Sequence, residues 1–279
     1  MLKLKRKILY PFISFTVALT LIFTNANVSY AFPWGDLLFR GIQVIQISNL
    51  SDQQEVQLGS QMRQQILSQN NVRLYQNPEL SSYINQIGRR LVAVSSRPNL
   101  PFQFEIVDNP DVNAFATMGG FIYLHTGLIT TASNEAQLAS VIAHEIGHVV
   151  ARHSQKQIRQ QAITQGLLTA TGLDQTNIVR LGVNLAVNLP HSRQDEYEAD
   201  NLGLDMLKSA GYAPRAMVDF MRKLAKSSGR VPTLLSTHPN AIDRAVALDQ
   251  RIPSSVAYNG AGLDEQEYQY RIRSLRARR

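Results

Sequence analysis

Residues 135–150 read EAQLASVIAHEIGHVV, and the centre of this stretch is His144-Glu145-Ile146-Gly147-His148. Apolar residues recur at helical spacing around the two histidines, so the stretch is predicted to be a helix. Positions i and i+4 share one face of a helix, which places His144 and His148 about one turn apart. Two imidazoles in this arrangement can bind one Zn²⁺, and Glu145 can then act as a base beside the metal.

The five-residue pattern is short enough to arise by chance. The alternative interpretation is a polar helix face with two solvated histidines. The neighbouring Ala, Val and Ile residues argue against that alternative, because an unpaired His-Glu-His group would be costly to bury among them. We therefore favour metal binding by this stretch. The helix is expected to continue to about Gln160.

A hydrolytic zinc site takes three protein ligands and leaves one position open. The chain has no cysteine, so the third ligand must be a histidine or a carboxylate. A histidine six residues after His148 would suit, but Ser154 occupies that position. His153 is turned by about 140° from His148 on the expected helix, which takes it out of easy reach.

The remaining source of a ligand is the later acidic stretch Asp195–Asp200. Glu196 and Asp200 are four residues apart and share a helix face, whereas Glu198 points away. We assign Glu196 as the third ligand and Asp200 as the hydrogen-bond partner of a ligating histidine, His144 in our interpretation. The alternative is a solvated acidic start of a helix, which the helix dipole favours. The sequence thus predicts one Zn²⁺ per chain on His144, His148 and Glu196.

The 279-residue chain carries 28 Lys and Arg against 21 Asp and Glu, a net charge of +7. Without cysteine it cannot be a disulfide scaffold, a zinc finger or an enzyme with a cysteine nucleophile. The positive charge points toward nucleic acid, but it lies at the two ends of the chain. Residues 32–270 have a net charge of −2, so no specific nucleic-acid partner is expected.

The N-terminal end has the pattern of a secretory signal peptide over residues 1–31. A basic start at 3–7 precedes an apolar run at 8–23, and Ser29-Tyr30-Ala31 suits cleavage after Ala31. The alternative is an anchor that is kept. In either case we expect an exported protein, in the periplasm or an equivalent lumen. It is either free there or associated with the membrane. Residues 32–50 form an amphipathic segment that can pack on the body or touch a membrane surface.

Residues 251–279 are predicted to be a C-terminal extension that ends in an Arg-rich tail. The tail holds Arg271, Arg273, Arg276, Arg278 and Arg279. We interpret it as solvated. Contact with anionic lipid headgroups is one alternative, and stacking of nucleic acid on the neighbouring tyrosines is another.

The periodicity elsewhere predicts an α+β fold that is predominantly helical, with a small sheet packed beside the histidine-bearing helix. Helices are predicted over 51–68, 78–94, 193–209, 214–226 and 239–248. A strand is predicted over 102–107, and a hairpin with its turn at 118–120 follows.

The order His-Glu-x-x-His and then Glu-x-x-Ala-Asp resembles metallopeptidase family 48. Further segments that resemble the family are Asn113-Ala114-Phe115-Ala116, Gly119-Gly120, Thr126-Gly127-Leu128, Ser192-Arg193, Ala210-Gly211-Tyr212 and Ser236-Thr237-His238-Pro239 with Arg244. The resemblance covers roughly residues 51–248 and is nearest to soluble exported members without a tetratricopeptide array.

The resemblance implies a gluzincin-type zinc metallopeptidase domain over residues 51–250, acting as an endopeptidase on proteins or peptides. Glu145 takes a proton from the attacking water and passes it to the leaving amine. His238 and Arg244 are implied catalytic residues that stabilise developing negative charge. In some relatives the histidine matching His238 instead binds the zinc and blocks it.

The strand before the active helix is expected to pair with an extended substrate. Its residues are Asn113, Ala114, Phe115, Ala116, Gly119 and Gly120. Such pairing favours misfolded or extended exported proteins over one fixed sequence, as in envelope protein quality control. Two other functions remain open: a latent zinc protein with chaperone-like binding, and a lipid or nucleic-acid surface binder that uses the Arg tail.

Overall fold

The computed structural model describes residues 47, 49–69, 72–164, 175–226 and 231–276. Its helices, in chain order, are α1 (Asp52–Gln69), α2 (Pro78–Val92), α3 (Thr126–Thr131), α4 (Glu135–Val150), α5 (His153–Thr164), α6 (Gln175–Asn188), α7 (Arg193–Ser209), α8 (Arg215–Ala225), α9 (Thr233–Thr237), α10 (Ala241–Gln250), α11 (Glu265–Arg271) and α12 (Arg273–Arg276). The strands are β1 (Gln103–Val107), β2 (Ala114–Ala116) and β3 (Phe121–His125). The predicted signal peptide, residues 1–31, lies outside the described residues, as does most of the segment 32–50.

Helix starts follow from side chains that cap free backbone N–H groups. Asn77 accepts a hydrogen bond from the N–H of Leu80 at 2.8 Å at the start of α2. The side chain of Asn134 does the same for α4, and that of Ser192 for α7. The predicted helix starts at these three points are confirmed.

The three strands form one small sheet in the order β1-β3-β2. β1 pairs with β3 in parallel, and β2 pairs with β3 antiparallel, which confirms the predicted hairpin. The turn of the hairpin contains Gly119 at φ 74° and Gly120 at φ 90°. A Cβ on Gly119 would lie 2.6 Å from the Cα of Val56. The glycine therefore allows α1 to pack directly on the turn.

Helix α4 lies at the centre of the core, and nearly all of its residues are buried. It packs most extensively on α7, and it also contacts α2, α8 and the sheet. The crossing with α7 is close, because a Cβ on Gly147 would lie 2.7 Å from the carbonyl oxygen of Ala199. A Cβ on Gly203 of α7 would lie 3.1 Å from the backbone nitrogen of His144. Small residues at the crossing let the two helices approach closely, so the polar side chains on their facing sides can touch one another.

The prediction of one helix from 135 to about 160 is wrong. α4 ends at Val150, Arg152 has φ 58°, and α5 begins at His153. The Arg152 guanidinium donates hydrogen bonds to the carbonyl oxygen of Leu50 at 2.9 Å and to Asp52 Oδ1 at 2.7 Å. These contacts, about 100 residues away in sequence, hold the left-handed residue that separates the two helices.

The chain beyond Ile252 packs against the same core. Tyr268, Ile272 and Leu275 are buried members of that core. The Tyr268 hydroxyl donates to the carbonyl oxygen of Ile129 at 2.6 Å. The segment up to residue 276 is therefore part of the folded body, whereas Arg271, Arg273 and Arg276 are exposed, as the interpretation of a solvated Arg cluster predicts. Among the described residues, no helix is long and apolar enough to cross a membrane.

Candidate metal centre and active site

Four buried side chains converge at the crossing of α4 and α7. His144 and His148 come from α4, Glu196 from α7, and His238 from the residue that follows α9. The Nε2 atoms of the two α4 histidines are 2.9 Å apart. Glu196 Oε1 lies 3.2 Å from His148 Nε2 and 3.0 Å from His238 Nδ1. None of the four residues is more than 5% exposed.

The spacing of these atoms fits one zinc ion. Two ligand atoms at about 2.0–2.1 Å from a shared ion lie no more than about 4.2 Å apart. The longest separation between a histidine of the α4 pair and Glu196 is 3.7 Å, from His144 Nε2 to Oε2. His238 Nδ1 lies 3.2 Å from His144 Nε2 and meets the same condition.

The position of the ring proton of His144 also favours a cation between the four side chains. Its Nδ1 lies 2.9 Å from Asp200 Oδ1, and an ionised carboxylate can only accept a hydrogen bond. Nδ1 therefore carries the proton, and the lone pair of Nε2 points at His148 and Glu196. Nitrogen lone pairs and a carboxylate that face one another in a buried site need a positive charge between them. The donor set suits Zn²⁺, which prefers nitrogen and carboxylate ligands.

Glu145 lies next to this group and is completely buried. Neither of its carboxylate oxygens has a hydrogen-bond partner among the described residues, and Oε1 is 3.5 Å from His238 Nε2. Burial raises the pKa of the Glu145 carboxyl above its usual value, and the nearby histidines only partly oppose this. A buried carboxylate without partners costs stability, and such groups are concentrated at functional sites.

Arg244 bonds to two of the carboxylates of α7, Glu196 and Asp200, and its charge offsets part of theirs. Its Nε and one terminal nitrogen donate to both oxygens of Asp200 at 2.6 Å, and the other terminal nitrogen donates to Glu196 Oε2. Burial alone would raise the pKa of the Asp200 carboxyl, but Arg244 and His144 outweigh it and hold the pKa below its usual range. Contacts with histidines likewise outweigh the burial of Glu196 and lower its pKa. Both carboxylates are therefore ionised.

The structure brings together all the predicted polar site residues. His144, His148, Glu196 and Asp200 lie where the sequence places them, and His238 and Arg244 reach the group from α9 and α10. The N–H of His238 donates to the carbonyl oxygen of Leu234 at 2.8 Å, which fixes the imidazole at the end of α9. Burial alone would lower the pKa of His238, but Glu196 and Glu145 raise it overall.

Two further histidines at the site were missed by sequence reasoning. The ring of His191 stacks on that of His148 with centroids 4.0 Å apart, and burial lowers the pKa of His191 to about 3. His153 Nδ1 lies 2.8 Å from His148 Nδ1. His153 was set aside because one continuous helix was assumed. Nothing in the local sequence of His191 indicates its place, since it stands in a connection between helices.

The predicted substrate strand is the edge strand β2. Among the described residues, no strand pairs with its outer side. Asn113 and Phe115 face β3 in the hydrogen-bond ladder, so Ala114 and Ala116 direct their backbone groups outward. Gly119 and Gly120 instead approach α1 and Phe102, so their lack of a side chain has a structural reason inside the domain.

A small apolar cavity of about 40 Å³ adjoins the group. Its polar end consists of His144, His238 and Arg244. Its apolar wall comes from α4, α8 and α9, namely Val141, Met217, Phe220, Met221, Leu224, Leu234 and Leu235. The metal group therefore borders an apolar space on one side.

Two histidines and a glutamate brought together by crossing helices, with an unpaired glutamate after the first histidine, are the arrangement of gluzincin-type zinc metallopeptidases. A model of Peptidase family M48 matches residues 78–252, more than half of the chain, and the chain belongs to this family. The family consists of metallopeptidases that use zinc, and the buried group described above is able to hold the ion.

The chain is similar to several curated proteins. It is 36% identical over 208 residues to the beta-barrel assembly-enhancing protease of Escherichia coli (strain K12), covering 69% of this chain and 42% of that protein. It is 30% identical over 182 residues to the mitochondrial metalloendopeptidase OMA1 of Schizosaccharomyces pombe, covering 62% and 53%. It is 29% identical over 226 residues to the metalloprotease LoiP of Escherichia coli (strain K12), covering 77% and 87%. The chain thus spans less than half the length of the first of these relatives.

Proposed function

We propose that this chain is a zinc-dependent endopeptidase that hydrolyses peptide bonds of exported proteins in extended or misfolded states. The observation that carries the proposal is the buried, unpaired Glu145 beside three converging ligand groups. A structural carboxylate at this depth would be expected to have a partner. A general base must instead keep its oxygens free for the proton that it accepts.

In this proposal His144, His148 and Glu196 hold the ion, and Asp200 keeps the proton of His144 on Nδ1. Zinc, when bound, supplies Lewis acidity toward the scissile carbonyl and toward water. Glu145 accepts the proton of the attacking water on a carboxylate oxygen and then donates it to the leaving amine. The raised pKa of Glu145 supports both roles, because the protonated form is more accessible than that of an exposed glutamate.

Arg244 is proposed to act by positioning. Its guanidinium already donates to Asp200 and Glu196, so it orients the proposed third ligand and compensates its charge. His238 stands closer to the reacting groups, since its Nε2 faces Glu145 and has no hydrogen-bond partner among the described residues. We propose that this nitrogen donates to negative charge that develops on the substrate.

The proposed substrate is extended and partly apolar. We propose that an extended peptide adds as a strand at the backbone groups of Ala114 and Ala116 that point away from β3. Both residues are buried, at 0% and 6% exposure, so this pairing requires the residues packed over them to move. The apolar cavity beside His144 offers space for an apolar side chain near the scissile bond. Misfolded proteins expose both extended backbone and apolar side chains, so envelope protein quality control in the periplasm or an equivalent lumen is the proposed setting.

The test is a cleavage assay on casein and on a urea-denatured outer-membrane protein, with zinc content measured on the same samples. The wild type should cut both substrates, and Glu145→Gln should keep its zinc and lose cleavage by at least about 100-fold. Glu79→Gln, on the exposed surface at α2, is the matched control and should cut normally. Normal cleavage by Glu145→Gln would refute the proposed role of Glu145.

A second candidate function is a latent zinc protein. The observation that favours it is the position of His238 Nδ1, which lies 3.0 Å from Glu196 Oε1 and 3.2 Å from His144 Nε2 as a fourth ligand would. His238→Ala separates the two roles of this residue. Cleavage should rise if His238 blocks the metal and should fall by about 10- to 1,000-fold if it stabilises charge.

A further inference from the structure

We propose that His153 is a positioning residue of the metal centre. It holds the proton of His148 on Nδ1 and connects this ligand to the carboxylates of Asp195 and Glu198. The inference rests on the proposed function only in taking His148 as a zinc ligand. It concerns metal binding, and it can fail while the proposed peptidase activity stands.

His148, His153 and the carboxylates of Asp195 and Glu198 form one continuous row of contacts. His148 Nδ1 lies 2.8 Å from His153 Nδ1. On its other side, His153 Nε2 lies 3.2 Å from Glu198 Oε2 and 3.3 Å from Asp195 Oδ1. His153 is completely buried. Its ring therefore has no water to satisfy either nitrogen, and both must bond within the row.

The positions of the protons follow from the two ends of the row. The carboxylates can only accept hydrogen bonds, so His153 Nε2 carries the proton of a neutral ring. His153 Nδ1 is then an acceptor and must receive the proton of His148 Nδ1. The lone pair of His148 Nε2 is left free, and this nitrogen faces His144 and Glu196. The row thus fixes the one tautomer of His148 that can bind a metal.

In His144, the other histidine of α4, the proton is also held on Nδ1, but by direct contact with a carboxylate. His144 donates directly to Asp200, whose charge is compensated by Arg244. For His148 a second imidazole stands between the ligand and the carboxylate, and Lys156 Nζ compensates the charge of Glu198 at 3.2 Å. Each proposed α4 ligand is therefore oriented by an ionised carboxylate that has its own cation.

The break between α4 and α5 makes this contact possible. On a continuous helix, His153 would be turned by about 140° from His148. Arg152 adopts φ 58° instead, and the chain turns so that the imidazole comes back to His148. A left-handed residue other than glycine is strained and persists only where the surroundings hold it. Here the contacts of Arg152 with Leu50 and Asp52 supply that hold.

The same three residues, His153, Asp195 and Glu198, also have the spacing of a metal site. Proton positions argue against that use. If His153 Nε2 bound a metal, its proton would sit on Nδ1 and be donated to His148. The proton of His148 would then move to Nε2, which could no longer bind the central ion. Lys156 also contacts the same oxygen of Glu198 that a metal would need.

The test measures zinc affinity by competition with a chelator, and it needs no substrate. His153→Phe keeps the ring volume but removes the acceptor, and it should weaken zinc binding by about 10- to 100-fold. His153→Gln returns an acceptor oxygen and should recover most of that loss. Urea unfolding of the metal-free proteins reports the stability of each variant separately. The absorption spectrum of the Co²⁺-substituted protein should change in the Phe variant and return toward wild type in the Gln variant.

Glu198→Ala provides a second variant, because its side chain is 44% exposed and its removal leaves the core intact. It should weaken zinc binding in the wild-type background and have little further effect in His153→Phe. Equal zinc affinity in the wild type and in both variants would overturn the proposal. Two zinc ions per wild-type chain, with one lost in His153→Phe, would overturn it in favour of a second metal site. A wild type that binds no zinc would contradict the proposed function itself.

Discussion

A single guanidinium binds two buried carboxylates of α7 and is the main cause that keeps Asp200 ionised. Arg244 is 3% exposed and bonds to both oxygens of Asp200 and to Glu196. Three buried charges in contact stabilise one another only while the set is complete, because each has lost its water. Arg244 is therefore needed for folding of the site before any metal is present.

Arg244→Met tests this at the scale of one residue. The variant keeps much of the side-chain volume and leaves Asp200 and Glu196 buried without their cation. We expect the metal-free protein to lose about 3–5 kcal/mol of unfolding free energy in urea titrations. Arg251→Met is the control, because Arg251 pairs with Asp205 on the exposed surface. Arg251→Met should lose about 0–1 kcal/mol of unfolding free energy. Equal losses in the two variants would contradict this account of Arg244.

Asp200→Asn tests the hydrogen bond to His144. The amide oxygen can still accept from Nδ1, but the negative charge is gone, and the amide nitrogen that replaces Oδ2 cannot accept from Arg244 Nε. We expect zinc affinity to fall by about 10- to 100-fold. Chelator competition gives the affinity, and circular dichroism checks the fold. An unchanged affinity in a folded variant would show that the Asp200 charge does not support the ligand.

At the scale of elements, the α4–α7 crossing sets the distance between the proposed ligands. Gly147 lies between the two histidines in sequence and faces Ala199. Ala199 in turn lies between Glu196 and Asp200 in sequence. The helices approach closely only because neither residue carries a larger side chain. The ligand geometry and the packing of the core are thus determined by the same contact.

Gly147→Ala should push these helices apart. The added Cβ would lie 2.7 Å from the carbonyl oxygen and 3.0 Å from the Cα of Ala199, and backbone atoms cannot yield as a flexible side chain can. We expect about 1–3 kcal/mol of destabilisation and at least a tenfold loss of zinc affinity. Gly182→Ala on α6 is the control, since it meets the flexible end of Met62 and should leave zinc affinity unchanged.

The cavity beside the metal group predicts a side-chain preference. Met217 of α8 lies in its apolar wall. Met217→Lys should reduce kcat/KM by at least about tenfold for peptides with an apolar residue next to the scissile bond, because a polar group cannot be buried there without loss. Peptides with an acidic residue at that position should lose less. Parallel losses for both peptide sets would mean that the cavity does not receive the substrate side chain.

Local sequence patterns predicted most of the helices and strands, because residues nearby in sequence determine where these elements begin. The starts of α2, α4 and α7 depend on caps within three residues, and the β2–β3 hairpin on its glycine turn. The end of α4 could not be predicted, since contacts of Arg152 with residues about 100 positions away produce it. The place of His153 was missed for the same reason.

The residues of the candidate site also fall into two groups, those indicated by local spacing and those brought in by distant contacts. The spacing within α4 and within α7 indicates His144, His148, Glu196 and Asp200, because helical periodicity relates each pair. The convergence of His238 and Arg244 on them is a contact between distant elements, and only the resemblance to a family pointed to it. His191 and the apolar cavity carry no local signal, since both depend on contacts between distant elements. His191 contacts Gln157 of α5 and His148 of α4, and the cavity lies between α4, α8 and α9.

At the scale of the molecule, the C-terminal helices belong to the folded body. Leu275 is 7% exposed in the main core. Leu275→Ala should cost about 2–5 kcal/mol of unfolding free energy, whereas a dispensable tail would tolerate it. Arg273→Ala on the same helix removes an exposed contact with Glu79 and should cost about 0–1 kcal/mol. A neutral Leu275→Ala would contradict the packing of this segment.

The predicted leader and the basic ends determine where the molecule is expected to work. Removal of residues 1–31 would lower the net charge from +7 to +3, since four basic residues and no acidic ones lie there. Contact of the Arg-rich C-terminal residues with anionic lipid or nucleic acid remains an alternative to the solvated interpretation, and no specific nucleic-acid partner is expected. If such contact occurs, binding should weaken steeply as salt is added and should fall when Arg271, Arg273 and Arg276 are replaced by Gln, which leaves the buried Ile272 and Leu275 in place.

The zinc content of the purified, folded chain tests the central claim most directly. The account predicts about one zinc per wild-type chain and less than about 0.1 per chain in the double variant Glu196→Ala/His238→Ala after dialysis against a weak chelator, because two imidazoles alone hold the ion poorly. His238→Ala is the control and should keep about one zinc, since His144, His148 and Glu196 remain. Circular dichroism on the same samples confirms that the variants are folded. A folded double variant that retains a full equivalent of zinc would contradict the assignment of Glu196 and, with it, the proposed metal centre.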